Sequence, residues 1–456
     1  MDDQGNVDYA TGLNEQLKGD IKPEENAMAL MAQVIPPNQE LTRKPPEFYR
    51  WLEIEEPKEN APFLQRYAIT GSEYPDLKIY VITEKCMQPW AKIDFPDEAE
   101  FLQANQEPLQ ILSKAAERTK YFHPVVTTNV PEKHTSIDVG IVDFLNRQRE
   151  AANFLNMRAM NAIQEKRFDD AWNDFYTIHR MGRLIQSNPS GFMEDLIGLS
   201  IERIAIKGYE VLLSTQTWSV DQIKVKAEFL NKLPTPASPA FVLDQHERLI
   251  ILDTIQVVYA AKNFQYSSKK YHVVDDAEFY ERMVQRSIDF DSLLRRVNAK
   301  IDRIVVAMSI PDNSDRFEAM EKIKKENFTI HFIPWKMQLH GITKRSEMIG
   351  QWMLQKHLYT IYSIERSASR RRNLLKSTQI AFAIAEYQAR EGKYPEKLID
   401  LKLPVDVTLD IYTGKQLHYE RWNQGYILCS LGIEEKWKPH LEQARLGGIR
   451  LGSVDE

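Results

Sequence analysis

Two consecutive runs, Ile137–Glu165 and Phe168–Gln186, constrain this chain more than any other feature. In the second, Phe168, Ala171, Trp172, Phe175, Ile178, Gly182 and Ile185 recur at spacings of three and four, which puts them on one face of an α-helix. Lys166-Arg167 leaves only a short joint, so the two runs are expected to fold back as an antiparallel pair. The phrase KRFDDAW resembles the joint of a tetratricopeptide hairpin, but no second copy follows at a period of about 34 residues. Ser187-Asn188-Pro189-Ser190-Gly191 is a break, after which Phe192–Leu213 predicts another apolar helix.

Most of the remaining chain reads the same way. Asn26–Ile35 predicts a short helix capped by Asn26 and stopped by Pro36-Pro37. Helical patterning also covers Asp97–Lys120, Phe241–Ala261, Asp275–Met308, Asp315–Lys325, Ser346–Tyr362 and Leu374–Glu391. Residues 36–62 are Pro-rich and read as an extended segment pinned by Phe48, Tyr49, Trp51 and Leu52. Leu77–Ile82 has strand composition without an evident partner. Leu233–Pro239, with three prolines, marks a linker. After Gly392, a left-handed helix cap, Gln416–Arg421 and Tyr426–Leu431 predict a β-hairpin packed on the preceding helix.

The expected fold is therefore mainly α. A frayed N-terminus (1–25) leads into a helical body over 26–365, with a sub-boundary near 233–239. A small C-terminal α+β module, helix plus hairpin, spans 366–440, and 441–456 forms a tail. The long helix is allowed to run across the 365/366 boundary.

Composition narrows the function classes. With 43% hydrophobic and 27% charged residues, the chain can build cores and is not a disordered polymer. The net charge is -6; residues 1–60 hold 13 acids and 6 bases, so the remaining 396 residues are nearly neutral. A neutral body lacks the basic field that nucleic-acid binding requires, and no nucleic-acid partner is expected. No apolar run reaches the roughly 18 residues of a membrane span, and MDDQGNVDYA is neither a signal nor a transit peptide. Membrane contact would come only through an anchor preceding this sequence. Cys86 and Cys429 are too few for a thiolate zinc site; they read as two buried inert thiols, or as one long-range disulfide.

Strong catalytic motifs are missing. There is no phosphate-binding glycine loop, no H-E-x-x-H, no C-x-x-C and no G-x-S-x-G elbow, and glycine totals only 18. No cofactor or metal is expected. The weaker constellations are Asp174, His179 and Arg180 on one helix, and His246, Glu247 and Asp253, with Asp244, on another. A histidine oriented by a carboxylate can serve as a general base, but Asp174 and His179 lie about 140° apart around their helix. A helix-edge histidine, with the aspartate bonded to a neighbouring helix, is the alternative. His246 and Asp253 share a face and could meet a metal, or a buried hydrogen-bonded histidine could sit there instead. Arg366, Arg370, Arg371 and Arg372 could bind phosphate or pair with acids. Asp275, Asp276, Asp289 and Asp291 match no cation loop.

Two resemblances extend this reading. AFAIAEYQAREGKYPEKLIDL followed by DIYTGKQLHYERWNQGYILCSLG resembles the soluble end of a type II secretion major pseudopilin. Tyr387, Gly392, Tyr394, Pro395, Asp410, Tyr412, Thr413, Gly414, Leu417, Tyr426, Ser430 and Gly432 carry the likeness. Ile411 and Gln416 stand where that family has prolines, and Ile433–His440 lacks its Asp-rich calcium loop. Segments ENAMALM, PWAKIDFPDEAEFLQANQEPLQILSKAAERTKYFHP, RAMNAIQEKRFDDAWNDFYTIHRMGRLI and HERLIILDTIQ are similar to a large family of planctomycete-type envelope proteins, usually with an N-terminal anchor. The resemblance implies a periplasm-facing envelope setting; a native start at Met1 would imply a cytoplasmic one. It brings no catalytic residues. The resulting expectation is a non-enzymatic structural protein that binds protein partners or its own copies. The alternative is an enzyme or small-ligand-binding protein with a cleft in the helical body.

Overall fold

The structure is a computed structural model that describes residues 7–35, 44–65, 67–68, 80–81, 84–126, 129–130, 133–134, 141–215, 218–260, 289–328, 340–422, 425–430 and 450–453. It is mainly helical. The expected antiparallel pair is present as α6 (Ile141–Gln164) and α7 (Phe168–Ser187), joined where Lys166 takes a left-handed φ of 60°. Helix α8 (Phe192–Thr215) follows the predicted break and packs along both.

The N-terminus departs from expectation. Residues 9–18 form α1 (Tyr9–Lys18), with Leu13 and Leu17 in the main core. Buried Asn14 exchanges two hydrogen bonds with the backbone of Val125, at 2.6 and 2.7 Å. Tertiary contacts thus order a segment whose polar composition suggested fraying. Helix α2 (Ala27–Val34) is capped by Asn26 as predicted, and α3 (Pro46–Leu52) buries the anchors Phe48, Tyr49 and Leu52. The run 97–120 divides into α4 (Pro96–Ala104) and α5 (Gln106–Glu117). Buried Asn105 makes the break: its amide donates to the Phe101 carbonyl while its Oδ1 accepts from Gln65 N.

Short pairs β1 (Tyr67–Ala68) with β2 (Tyr80–Val81), parallel, and β3 (Asn129–Val130) with β4 (Lys133–His134), antiparallel, lie between these helices. The strand expected over 77–82 thus has a partner; 77–79 and 82 lie outside the described residues, as do 137–140, 275–288 and 431–449. Helix α9 (Val220–Asn231) precedes the proline linker. The predicted run 241–261 is α10 (Pro239–Val242), a π-helical turn (Leu243–Glu247) and α11 (Arg248–Ala260). Next come α12 (Phe290–Met308), capped by Asp289, and α13 (Asn313–Phe328).

One helix, α14 (Ile342–Glu391), joins the two predicted over 346–362 and 374–391 and runs across the 365/366 boundary, the continuity the sequence allowed. Its 50 residues span about 75 Å, and Gly392 ends it at φ 72°. It serves three apolar clusters: Ile349, Leu354, Ile361 and Ile364 join α10–α13; Phe382 enters the main core of α1–α9; Ile380 and Ile384 meet the C-terminal module. The body–module boundary at 365/366 therefore falls inside a helix and is not a hinge.

In the module, β5 (His418–Trp422) pairs antiparallel with β6 (Gly425–Ser430), and β7 (Arg450–Ser453) adds parallel to β6. The stretch expected to be a tail thus supplies a strand. Helix α15 (Val405–Thr408) and a turn at Asp410–Lys415, with Gly414 at φ 65°, connect α14 to the hairpin. Buried Asp410 fastens this turn. It accepts from Asn373 Nδ2 (2.9 Å), Tyr412 N (2.9 Å) and Ser430 Oγ (2.8 Å), while Asn373 Oδ1 accepts from Ile411 N (2.9 Å). Asp410→Ala removes this shared acceptor from the turn and is expected to cost about 2–3 kcal/mol. The measurement is urea unfolding followed through the module; a change below about half a kcal/mol contradicts this role. Cys86 and Cys429 are both buried and form no disulfide, and burial pushes the Cys429 thiol up to about 12.

Candidate functional site

Buried charge concentrates on α8. Glu194, Asp195 and Glu202 have side chains at most 5% exposed, and each is answered by a different part of the chain. Apolar residues at Ile201, Ala205, Ile206, Tyr209 and Leu212 seat the helix in the core, which carries these carboxylates in with it. Burying a carboxylate is costly unless it is paired and hydrogen-bonded.

Glu194 sits at the head of α8 and binds the segment Lys120–Val126. Its Oε1 accepts from Tyr121 Oη at 2.6 Å and His123 Nδ1 at 2.7 Å; its Oε2 accepts from Ser190 N at 2.7 Å. Burial alone would raise this carboxyl, but His123, the Ser190 N–H and the Tyr121 hydroxyl hold it below the usual range. A carboxylate only accepts, so Nδ1 of His123 carries the proton. Burial keeps the ring neutral, aided by the Lys44 ammonium. Its Nε2 is buried without a hydrogen-bond partner among the described residues, and the ring packs against those of Phe48 and Phe144.

Glu202, two turns on, faces α7. Arg183 Nε lies 2.9 Å away, His179 Nε2 donates at 3.1 Å and Gln186 Nε2 at 3.0 Å. Burial works against ionisation, yet Arg183, then His179 and Gln186, hold Glu202 at about 2. Asp195 turns to α14, where Arg371 Nη1 lies 3.0 Å from Oδ1 and also donates to Gln186 Oε1. Burial pushes the Asp195 carboxyl up against the pull of Arg371. Gln186 thus links the Glu202 and Asp195 pairs, and α7, α8 and α14 share one polar network.

The sequence candidates disperse. Asp174 pairs with Arg158 of α6 through two bonds, 3.0 and 2.6 Å, so it does not orient His179. His179 meets Glu202, and its buried Nδ1 has no hydrogen-bond partner among the described residues. Arg180 points elsewhere, donating to the carbonyls of Ala116 (2.5 Å) and Arg118 (3.0 Å). His246 Nδ1 donates to Pro189 O at 2.7 Å, and Glu247 Oε2 accepts from Phe192 N at 2.9 Å. Those two, on the π-helical turn, do converge on the α7–α8 break. Asp253 is buried on α11 near Tyr9, whose hydroxyl burial and Asp253 together raise. Arg371 is the member of the basic cluster drawn inside; Arg372 flanks Glu365, which Arg316 binds at 2.7 Å. Asp275 and Asp276 lie outside the described residues.

Sequence reasoning missed Glu194, Glu202, His123 and Tyr121. One signal was present: Glu194, Asp195 and Glu202 stand among apolar residues in a mostly apolar run that also carries Arg203, Lys207 and Glu210. Among the described residues no group of three or more His, Cys, Asp or Glu is arranged to hold a metal, and no helix is long and apolar enough to cross a membrane. Chemically, the centre can fix helices in register and hold neutral imidazoles on carboxylates. Comparison of the chain with family models, curated proteins and solved structures gives no match.

Proposed function

We propose that this is a non-enzymatic structural protein of the cell envelope, binding protein partners or further copies of itself through its C-terminal module. The observation that carries the reading is the use made of buried charge. Asp174, Glu194, Asp195 and Glu202 are each answered by another helix or segment, joining the body together and not facing a common substrate position. Such a network favours a fixed, rigid body. The module offers a surface: β5 has a sheet neighbour on one side only, among the described residues, and Ile399 and Val405 of the same module are 74% and 72% exposed. A strand edge left open among the described residues suits pairing with an extended segment, and exposed apolar side chains in the same module suit contact with a partner. The envelope setting rests on the resemblances of the two chain regions alone.

Sedimentation over a wide concentration range, with and without candidate partners, tests this. Association above the 53.1 kDa monomer that Ile399→Asp with Val405→Asp weakens at least about tenfold is expected. A chain that stays monomeric and partnerless throughout contradicts it.

A second reading, an enzyme or small-ligand-binding protein acting from the helical body, draws on one observation. His123 and His179 each place one nitrogen on a glutamate and leave the other unengaged, the arrangement of an oriented base. Both rings are about 1% exposed, which disfavours it.

A further inference from the structure

The segment Lys120–Val126 has no regular structure, yet it is buried from Tyr121 to Val126. Side chains from four places hold its backbone and rings. Asn14 bonds both polar groups of Val125, and Asn26 bonds both of Phe122, at 3.0 and 2.9 Å. Asn188 donates to the carbonyls of Tyr121 and Leu17, both at 2.9 Å. Glu194 takes Tyr121 and His123. The segment is thus the seam between the N-terminal helices α1–α2 and the head of α8.

We propose that this seam is an acid-released latch: protonation of His123 frees Lys120–Val126, with the N-terminal helices it holds, from the head of α8. The second proton of His123 must go to Nε2. The His123 ring packs against those of Phe48 and Phe144, and among the described residues its buried Nε2 has no acceptor, so protonation buries an unpaired N–H and a charge. The charged groups facing the ring are Glu194 from α8 and the Lys44 ammonium, which also lies 4.8 and 5.0 Å from the centres of those two phenyl rings. Tyr121 shares Glu194 with it from its own segment, and α6 brings the Phe144 ring and uncharged Gln148, which donates to Tyr121 Oη at 3.1 Å. Glu194 already accepts three hydrogen bonds, while Lys44 repels the new charge.

His246 adds to the device from the other side of the turn. It is buried, donates to Pro189 O, and faces Glu194; neighbouring Glu247 binds the turn at Phe192 N. Burial holds both imidazoles below their ordinary value. Their folded values lie below the unfolded ones, so the opened form takes up the proton more readily. The closed seam is fully favoured above about pH 6.5 and weakens as pH falls below it.

The test is hydrogen exchange at the amides of Phe122, Val125 and Ser190 in the full chain, corrected for intrinsic rates. Between about pH 7.5 and 5.5, opening should increase by up to about tenfold per histidine, with α7 amides changing less. His123→Gln should remove most of that increase at Phe122 and Val125. A flat wild-type profile, or an equal increase in His123→Gln, overturns the latch. If that variant does not fold, nuclear magnetic resonance of the wild-type ring decides: a neutral, Nδ1-protonated His123 at about pH 6 supports it, and an imidazolium overturns it.

Discussion

Glu202→Ala is expected to destabilise the folded chain by about 3–5 kcal/mol, the cost of breaking a buried pair on one side. Removing this carboxylate takes the counter-charge from Arg183, the acceptor from His179 Nε2 and one of the partners of Gln186, all three residues being at most 7% exposed between α7 and α8. The Arg183 contact is close in distance but off-line for a hydrogen bond at Nε, so it acts mainly through charge. Glu202→Gln keeps the shape and an acceptor while deleting the charge. It should therefore be less damaging towards His179 and equally damaging towards Arg183. The pH dependence follows with a definite sign. The folded carboxyl titrates at about 2 against an ordinary 4.5, so its contribution is complete above about 4.5 and is lost as pH falls towards 2. Urea unfolding at neutral and acid pH measures both effects. A variant within about 1 kcal/mol of wild type at neutral pH would remove α8 from its central place.

The helices themselves were legible because their signal is local. Apolar spacing, the Asn26 cap, the Lys166-Arg167 joint and the Gly392 stop each act within a turn or two, and each is found in place. What the sequence misplaced depended on distant residues. Helix α1 is ordered by Val125, more than a hundred positions away, through Asn14. The break at Asn105 depends on Gln65, and strand β7 depends on β6. The continuity of α14 is a subtler case. Nothing between 362 and 374 stops a helix, but its Arg-rich exterior pattern hid the inward Arg371, which Asp195 and Gln186 explain.

The polar centre was harder to read for the same reason. A search for histidines near acids in sequence selected Asp174 with His179, and His246 with Asp253. The partners actually used are 71, 23 and 176 positions apart: His123 with Glu194, His179 with Glu202, Arg371 with Asp195. A carboxylate inside an apolar helix was the better guide, since burial obliges it to find a donor somewhere. Asp410 with Tyr412, Gly414 and Ser430 builds the turn that ties hairpin to helix, again through contacts with residues distant in the chain.

Gly182→Val is expected to be among the most damaging single changes outside the charged network, at roughly 3 kcal/mol or more. The sequence put Gly182 on the apolar face of α7 without saying why a glycine should stand there. A Cβ at this position would lie 2.7 Å from the Gly198 carbonyl oxygen and 2.9 Å from the Glu202 nitrogen. Both are backbone atoms of α8, which cannot swing aside as a side chain can. Gly198 answers from the other helix, where a Cβ would come within 2.9 Å of the Gly182 oxygen. Two effects compete in Gly182→Ala. Helix propensity favours alanine by about 1 kcal/mol, while overpacking costs about 1–3 kcal/mol. The backbone clash should win, for a net loss of about 1–2 kcal/mol, and valine adds two methyl groups with nowhere to go. Gly12 in α1 separates the two effects, because a Cβ there meets nothing within 4 Å. Gly12→Ala should therefore stabilise by about 0.5–1 kcal/mol. Thermal and urea unfolding of the three variants should order them Gly12→Ala above wild type, then Gly182→Ala, then Gly182→Val. Because spreading α7 from α8 also lengthens the contacts of Glu202 with His179 and Arg183, Gly182→Val should weaken the acid dependence that Glu202 confers. A Gly182→Val protein as stable as wild type would mean that the two helices do not meet backbone to backbone.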